Sequence, residues 1–480
     1  MNTKAGQETR KTDIELNLQV FESAAKLAKQ NAADIVVFPE NGILFGLGTR
    51  ENVLKHGEFI PNEKGVSLCT DEYATKTPII HRLACMAKTN RILVAANTID
   101  VQNCSSSTKS KCPSDKKFAF NTAVLFDRNG HLLAKYHKMH PFGEMTLNVP
   151  LEDELVVVDT EIGRLSLQVC FDMIYSKPGV YLAAQGQIDT MVFPTWWFDE
   201  LPLLAASQFQ MAWAFGNKIN LLASNIHKVE VGSKGSGIYA GGQGQFEVVS
   251  AVDAKSRLLV ASLPVKPTST AAHCPLNAVT HEVPQLVPIP SNIQYRYQSI
   301  NLTQTEVLKV DLTKSLATKC SRGVCCTLNY QVAAPSTDTV EDFYLLVTNR
   351  TRPGAYPWTE EFCVLVHCPQ LENLKACSLM TSNRPLSTTF SFVEMSGDFS
   401  PDALIYPSVI GSEHKVLPKS DLWSYKEDKS TGKSKQKFVL SVGSKSSSEK
   451  AHAVSTISLY GRVYSRDPPY EQRPTGGIEL

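Results

Sequence analysis

Three side chains of different chemistry stand at the ends of three separate β-like runs. Residues 33–38 read Ala-Asp-Ile-Val-Val-Phe, and Pro39-Glu40-Asn41-Gly42 stops them, leaving Glu40 at the carboxyl end. Residues 131–138 end in Lys138, ahead of the turn-like Pro141-Phe142-Gly143-Glu144. Residues 164–170, Arg-Leu-Ser-Leu-Gln-Val-Cys, end in a cysteine before Phe171 and Asp172. In an α/β protein, side chains just beyond the carboxyl ends of strands face the crevice where ligands bind. A thiol attacks as its thiolate and needs a base to make it. A carboxylate, an ammonium and a thiol together suit amide cleavage: the carboxylate takes the thiol proton, the sulfur attacks the carbonyl, and the ammonium stabilises the oxyanion. Each residue alone has a plainer reading: a buried apolar thiol, a turn carboxylate, a solvated lysine. The weight lies in the three together. A papain-like protease is disfavoured because no Cys-Gly-Ser-Cys-Trp-type segment surrounds Cys170.

The elements that must position these residues alternate. Apolar residues at helical spacing over 14–30 precede the strand at 34–38, and a second such segment over 201–217 precedes a strand-like run at 218–223. Alternating helices and strands predict an α/β layered domain over residues 1–265. Prolines at 264, 267, 275, 284, 288 and 290 mark a linker over 266–300. Beyond it, over 301–480, short alternating runs at 307–312, 326–332, 343–347, 362–366, 388–393, 438–442 and 454–460 predict a smaller β-rich domain. The length of 480 residues agrees with two cores. Lys plus Arg total 48 against 47 Asp plus Glu, with no basic block, which argues against a nucleic-acid partner. No apolar stretch approaches a membrane span.

Twelve cysteines point to an oxidising compartment. Cys104 and Cys112 flank a polar segment and read as a small disulfide loop, and Cys69 with Cys85 is a second pair. Cys320, Cys325, Cys326, Cys363, Cys368 and Cys377 are even in number, with their connectivity open. Their spacing lacks the tight pairs of common zinc sites, so no metal is expected. Cys274 has no evident partner. Asn301-Leu-Thr and Asn349-Arg-Thr are candidate glycosylation sites, with Asn103-Cys-Ser a weaker third.

The motifs Val-Phe-Pro-Glu40, Tyr-His-Lys138 and Val-Cys170-Phe-Asp172 resemble those of the nitrilase (carbon–nitrogen hydrolase) superfamily. Val-Phe-Pro-Thr-Trp-Trp (192–197), Leu-Pro-Leu-Leu-Ala-Ala (201–206), Leu-Ala-Ser-Asn-Ile-His (222–227), Gly-Ser-Gly-Ile-Tyr (235–239) and Leu-Tyr-Gly-Arg-Val-Tyr (459–464) narrow the likeness to the vanin/biotinidase branch. The resemblance covers essentially the whole chain. It implies an αββα sandwich followed by the β-rich domain. It implies Glu40 as general base, Cys170 as the thioester-forming nucleophile, and Lys138 with the Phe171 backbone N–H as oxyanion donors. Glu144 matches a second glutamate that orients Lys138 or the substrate, a loop carboxylate being the alternative. Trp196 and Trp197 line the acyl pocket, or one of them packs in the core. Asp172 caps the following turn.

The implied reaction is hydrolysis of a small secondary amide without a cofactor. Pantetheine is the first choice and biocytin or biotinyl peptides the second; a secreted binding protein of the same fold, without turnover, is a third reading. The branch carries a signal peptide and a strand before its first helix. The chain instead opens Met1-Asn-Thr-Lys without an apolar segment, so the first sheet is expected to lack a member. The polar carboxyl end does not support a GPI anchor. Oligomeric state is not legible.

Overall fold

The computed structural model describes residues 4–104, 112–267, 276–284, 286, 293–334, 341–368, 386–412, 415–419, 422–428, 435–443 and 451–471. Helix Lys4–Gln30 leads into β1 (Ile35–Val37), β2 (Leu93–Asn103), β3 (Lys117–Phe126) and β4 (Leu132–His137), which form one sheet in that order. A second sheet contains β5 (Val157–Thr160), β6 (Gly163–Leu167), β7 (Thr190–Thr195), β9 (Asn220–Asn225), β10 (Ser236–Ala240) and β11 (Gln245–Val249); the short β8 (Glu200–Leu201) lies outside it.

Alternation along the strands explains how the sheets stack. In β2, Leu93 and Ala95 enter the core shared by both sheets, while Val94 and Ala96 enter the core under the helices. Helices Lys4–Gln30 and Pro78–Asn90 cover that outer face with Phe21, Ala25, Ile80, Leu83 and Ala84. Helix Ala206–Asn217 covers the second sheet. The result is the expected αββα sandwich. The helix read over 201–217 begins only after Ala205. Pro202 disfavours helix at Leu201, and the Asp199 carboxylate accepts the Ala206 N–H at 2.7 Å, fixing the start there.

Among the described residues strand β1 pairs with β2 alone, and a cavity of about 700 Å³ runs along its other edge, lined by Phe21, Ala24, Ala28, Ile35, Leu222 and Leu259 among others. Neither Cys170 nor Lys138 borders it. The segment read as a linker carries strand Val279–Glu282, which pairs with Arg257–Val260, and Gln298–Ser299, which pairs with β8. It is therefore tied to the catalytic half at two points.

Among the described residues the second domain forms two five-stranded antiparallel sheets packed on a common core that includes Leu328, Leu345, Cys363, Val393 and Leu440. One sheet, built on Phe343–Thr351, Thr359–His367, Leu404–Gly411 and Val454–Arg462, turns its other face (Leu346, Phe362, Val364, Tyr460) onto helix Ala206–Asn217. Gln208 donates to the Ser408 hydroxyl across this contact at 3.0 Å. Gly216 lets the helix approach Tyr406 and the Ile405 carbonyl, where any side chain would collide. The layers therefore run helix, sheet, sheet, helix, sheet, sheet.

Disulfides join Cys69 to Cys85, Cys104 to Cys112, Cys320 to Cys325 and Cys326 to Cys363; Cys368 is disulfide-bonded as well. Cys274 and Cys377 lie outside the described residues, as do residues 429–434 between the paired strands Trp423–Asp428 and Gln436–Gly443. Among the described residues the one free cysteine is Cys170, and no helix is long and apolar enough to cross a membrane. These features are compatible with an extracellular protein.

Candidate active site

Four strand ends converge. β1 is parallel to β2, and β4, two antiparallel steps from β2, points the same way; β6 and β7 are parallel to each other. Glu40 follows β1, Lys138 follows β4, Cys170 follows β6 and Trp196 follows β7, so all four reach the carboxyl-end crevice.

The three sequence-predicted groups are brought together and buried. Glu40 is 1% exposed, Lys138 2% and Cys170 7%. The Trp196 peptide joins two of them: its N–H donates to Glu40 Oε2 at 2.8 Å and its carbonyl accepts from Cys170 Sγ at 3.5 Å. Lys138 Nζ donates to Glu40 Oε1 at 2.7 Å and to Glu144 Oε2 at 2.6 Å. Asn121 Nδ2 spans the same carboxylates, at 2.8 Å to Glu40 Oε1 and 2.5 Å to Glu144 Oε1. Its own oxygen accepts from Asn97 Nδ2 at 2.6 Å, and Asn97 in turn accepts the Asn41 N–H at 2.9 Å. Two carboxylates around one ammonium are thus locked by a chain of amides, with hydrogen bonds compensating the cost of burying the charges.

Cys170 opens a single 3₁₀ turn, Cys170–Ile174, with φ of 44°. A non-glycine residue in the left-handed region costs energy and persists where its surroundings dictate it. Asp172 supplies part of that constraint. Its carboxylate accepts the Val169 N–H at 3.0 Å and the Tyr136 hydroxyl at 2.8 Å, and on the other oxygen the His140 N–H at 2.9 Å. It binds the turn opened by Cys170 to β4 and to the loop after Lys138.

The electrostatics are mutual. Burial pushes the Cys170 thiol up and Glu40 pushes it further, while Lys138, the Thr195 hydroxyl and the Trp196 backbone pull it down without prevailing. Thr195 Oγ1, fully buried, makes no hydrogen bond in this geometry, yet lies near enough to the sulfur to favour its ionised form. Burial also raises Glu40, and Glu144 adds to this against Lys138 and Asn121. Burial opposes the charge on Lys138, but Glu144, Glu40 and Cys170 outweigh it and hold the ammonium protonated. A protonated thiol beside a carboxylate of raised basicity is poised for proton transfer coupled to attack.

The tryptophans divide. Trp197 packs in the core, its Nε1 donating to the Leu204 carbonyl at 2.8 Å and its ring stacked on Phe209. Trp196 lies between Phe45 and Phe198, and its buried Nε1 makes no hydrogen bond. Phe171 points into a nest of Phe142, Tyr175, Tyr356 and Trp358. Asn121, Asn97, Thr195, Tyr356 and Trp358 were not singled out from sequence. A lone amide inside the apolar run Lys117–Phe126 was the available signal for Asn121, since a buried polar residue needs a reason.

Comparison with known proteins agrees with this geometry. The carbon–nitrogen hydrolase family model matches residues 3–210, and the vanin C-terminal domain model matches residues 294–467. The chain is 33% identical to pantetheinase of Mus musculus over 456 residues, covering 94% of this chain and 83% of that one. It is 30% identical to human pantetheine hydrolase VNN2 over 483 residues, covering 100% and 88%. It is also 30% identical to biotinidase of Takifugu rubripes over 421 residues, covering 83% and 81%.

Proposed function

The chain belongs to the carbon–nitrogen hydrolase family, and from that premise we propose that it hydrolyses the secondary amide of pantetheine to pantothenate and cysteamine. Glu40 takes the thiol proton as Cys170 Sγ adds to the amide carbonyl. The Lys138 ammonium and the Phe171 N–H stabilise the oxyanion. Collapse breaks the carbon–nitrogen bond, and the amine leaves with the proton Glu40 had received. Water then gives a proton to Glu40 as its oxygen adds to the thioester; the acid departs and the sulfur regains its proton. Glu144 holds Lys138 from the side opposite Glu40. Trp196 lines the acyl pocket and offers its Nε1–H to a polar group of the substrate.

The observation that carries the mechanism is the Trp196 peptide, bonded to the base through its N–H and to the sulfur through its carbonyl. The choice of pantetheine rests on the likeness to pantetheinases across nearly the whole chain. The biotinidase likeness favours a second reading, cleavage of biocytin. Turnover of pantetheine and biocytin side by side tests the choice. Pantetheine cleavage is expected; exclusive biocytin cleavage would reverse it, and turnover of neither by folded protein would favour a binding role. We also assign the protein to the extracellular space, where the disulfides Cys104–Cys112 and Cys320–Cys325, each joining cysteines close in sequence, would persist.

A further inference from the structure

We propose that the second domain is part of the catalytic apparatus, with Arg462 and Tyr356 as positioning residues for the nucleophile turn and for the loop that carries Glu144. The proposal rests on reading Cys170 as the nucleophile.

The nucleophile turn is held at both ends. Asp172 ties its start to the catalytic domain, as described. Its last carbonyl, that of Ile174, accepts two bonds from one guanidinium: Arg462 Nη2 at 2.9 Å and Nε at 3.1 Å. Arg462 is the final residue of strand Val454–Arg462 in the second domain and is fully buried. Its remaining donors reach the Asp467 carboxylate, at 2.7 Å from Nη2 and 3.1 Å from Nη1, and the Thr359 carbonyl. Burying an arginine costs free energy unless every donor is met, and here the planar fork meets three acceptors at once. A lysine cannot reproduce that geometry.

The second arm is Tyr356. Its hydroxyl accepts the Gly143 N–H at 2.7 Å, one residue before Glu144. Its ring packs at 5.2 Å from Phe142 and 5.5 Å from Phe171, the residue after the nucleophile. Trp358 closes on Phe171 from the same domain, and the Tyr470 hydroxyl donates to the Pro141 carbonyl. The two turns that carry Cys170 and Glu144 therefore meet against one face of the second domain. Because Glu144 holds Lys138, a displacement of either turn changes the separation of sulfur, ammonium and carboxylate. Small misplacements of that kind cost much in rate.

Arg462→Lys and Tyr356→Phe test this. In each, kcat is expected to fall, on the order of 10- to 100-fold for Arg462→Lys and less for Tyr356→Phe, with KM within about two-fold of wild type. The deciding readout is the pH midpoint for alkylation of Cys170 by iodoacetamide, followed on its own peptide by mass spectrometry. Lys138 pulls the thiol pKa down, so slackening its partner loop in Tyr356→Phe should move the midpoint up. In Arg462→Lys the midpoint should also differ from wild type. If Arg462→Lys fails to fold, Tyr356→Phe, which deletes one oxygen, decides alone. A midpoint displaced in a folded variant supports the proposal. Wild-type midpoints in every variant that folds, whatever the loss in melting temperature, overturn it and assign these contacts to stability only. Alkylation needs no amide substrate, so the result stands even if neither pantetheine nor biocytin is cleaved.

Discussion

Replacing Asn121 by Ala removes the uncharged side chain that, with Lys138, touches both carboxylates of the site. Its amide donates to Glu40 Oε1 at 2.8 Å and to Glu144 Oε1 at 2.5 Å. A hydrogen bond to a charged group contributes about 1.5–3 kcal/mol. Glu40 is already raised by burial, and Asn121 is one of the groups that restrain the rise. At about 1.4 kcal/mol per pKa unit, losing that bond moves Glu40 up by about one to two units. The ionised form is the base, so the acid limb of kcat/KM against pH should move to higher pH by the same amount. Below that limb the variant loses roughly tenfold in rate for each unit of displacement. The assay is a pH–rate profile of amide hydrolysis for both proteins, with circular dichroism at each pH to confirm folding. An acid limb left in place would refute the reasoning. So would a rate reduced by one factor at every pH, because Asn121 would then position groups without tuning the base.

Other consequences follow from packing, linkage and exposure. Gly216→Ala would set a methyl 2.7 Å from a Tyr406 ring carbon and 2.9 Å from the Ile405 carbonyl oxygen, so a loss of about 1–3 kcal/mol is expected in a denaturant titration, with kcat of the folded fraction unchanged. Burial pulls His137 down, but its hydrogen bonds with Asp100 and Glu154 prevail and raise it overall. A group raised on folding stabilises fully below its unfolded pKa, near 6.5 for histidine, and loses that contribution as pH rises through the folded value. The urea midpoint of wild type should therefore fall over that window, and His137→Asn should flatten this part of the curve. Asn301 is exposed, whereas the Asn349 amide donates to the carbonyl of Arg322, in a turn of the facing sheet. Secreted from animal cells, Asn301→Gln should lose the mass of one glycan and Asn349→Gln should not.

Glu40, Lys138 and Cys170 were legible because each is a reactive type placed where an apolar run stops. Period and punctuation reveal such places without knowledge of the fold. The amides behind them were not, since Asn97 and Asn121 lie inside strands and become functional only when β2 and β3 pair. The second-domain strands show the same limit. Those recognised from sequence are largely interior strands with sustained apolar alternation. Leu316–Ser321, Leu404–Gly411 and Trp423–Asp428 were missed, and all three lie at sheet edges. Edge strands tolerate proline and carry polar residues that guard against further pairing, which erases the alternating signal. Pro407 and the run Lys426-Glu427-Asp428 are instances. The contacts of Arg462 with Ile174 and of Tyr356 with Gly143 join residues hundreds of positions apart, and no local pattern announces them.

The outer edge of the first sheet is a more particular case. Among the described residues β1 pairs with β2 alone, and a cavity runs along its other edge. Glu40 is nevertheless held in place, by the Trp196 N–H, Lys138 and Asn121.

A covalent link between the acyl half of the substrate and one sulfur atom is what the whole mechanism requires. Protein quenched in acid during turnover of pantetheine and digested should yield the peptide containing Cys170 with an added pantothenoyl group that hydroxylamine removes. Cys170→Ala should show neither adduct nor turnover. Turnover that persists in Cys170→Ala, or an acyl group recovered on any other residue, would contradict the account.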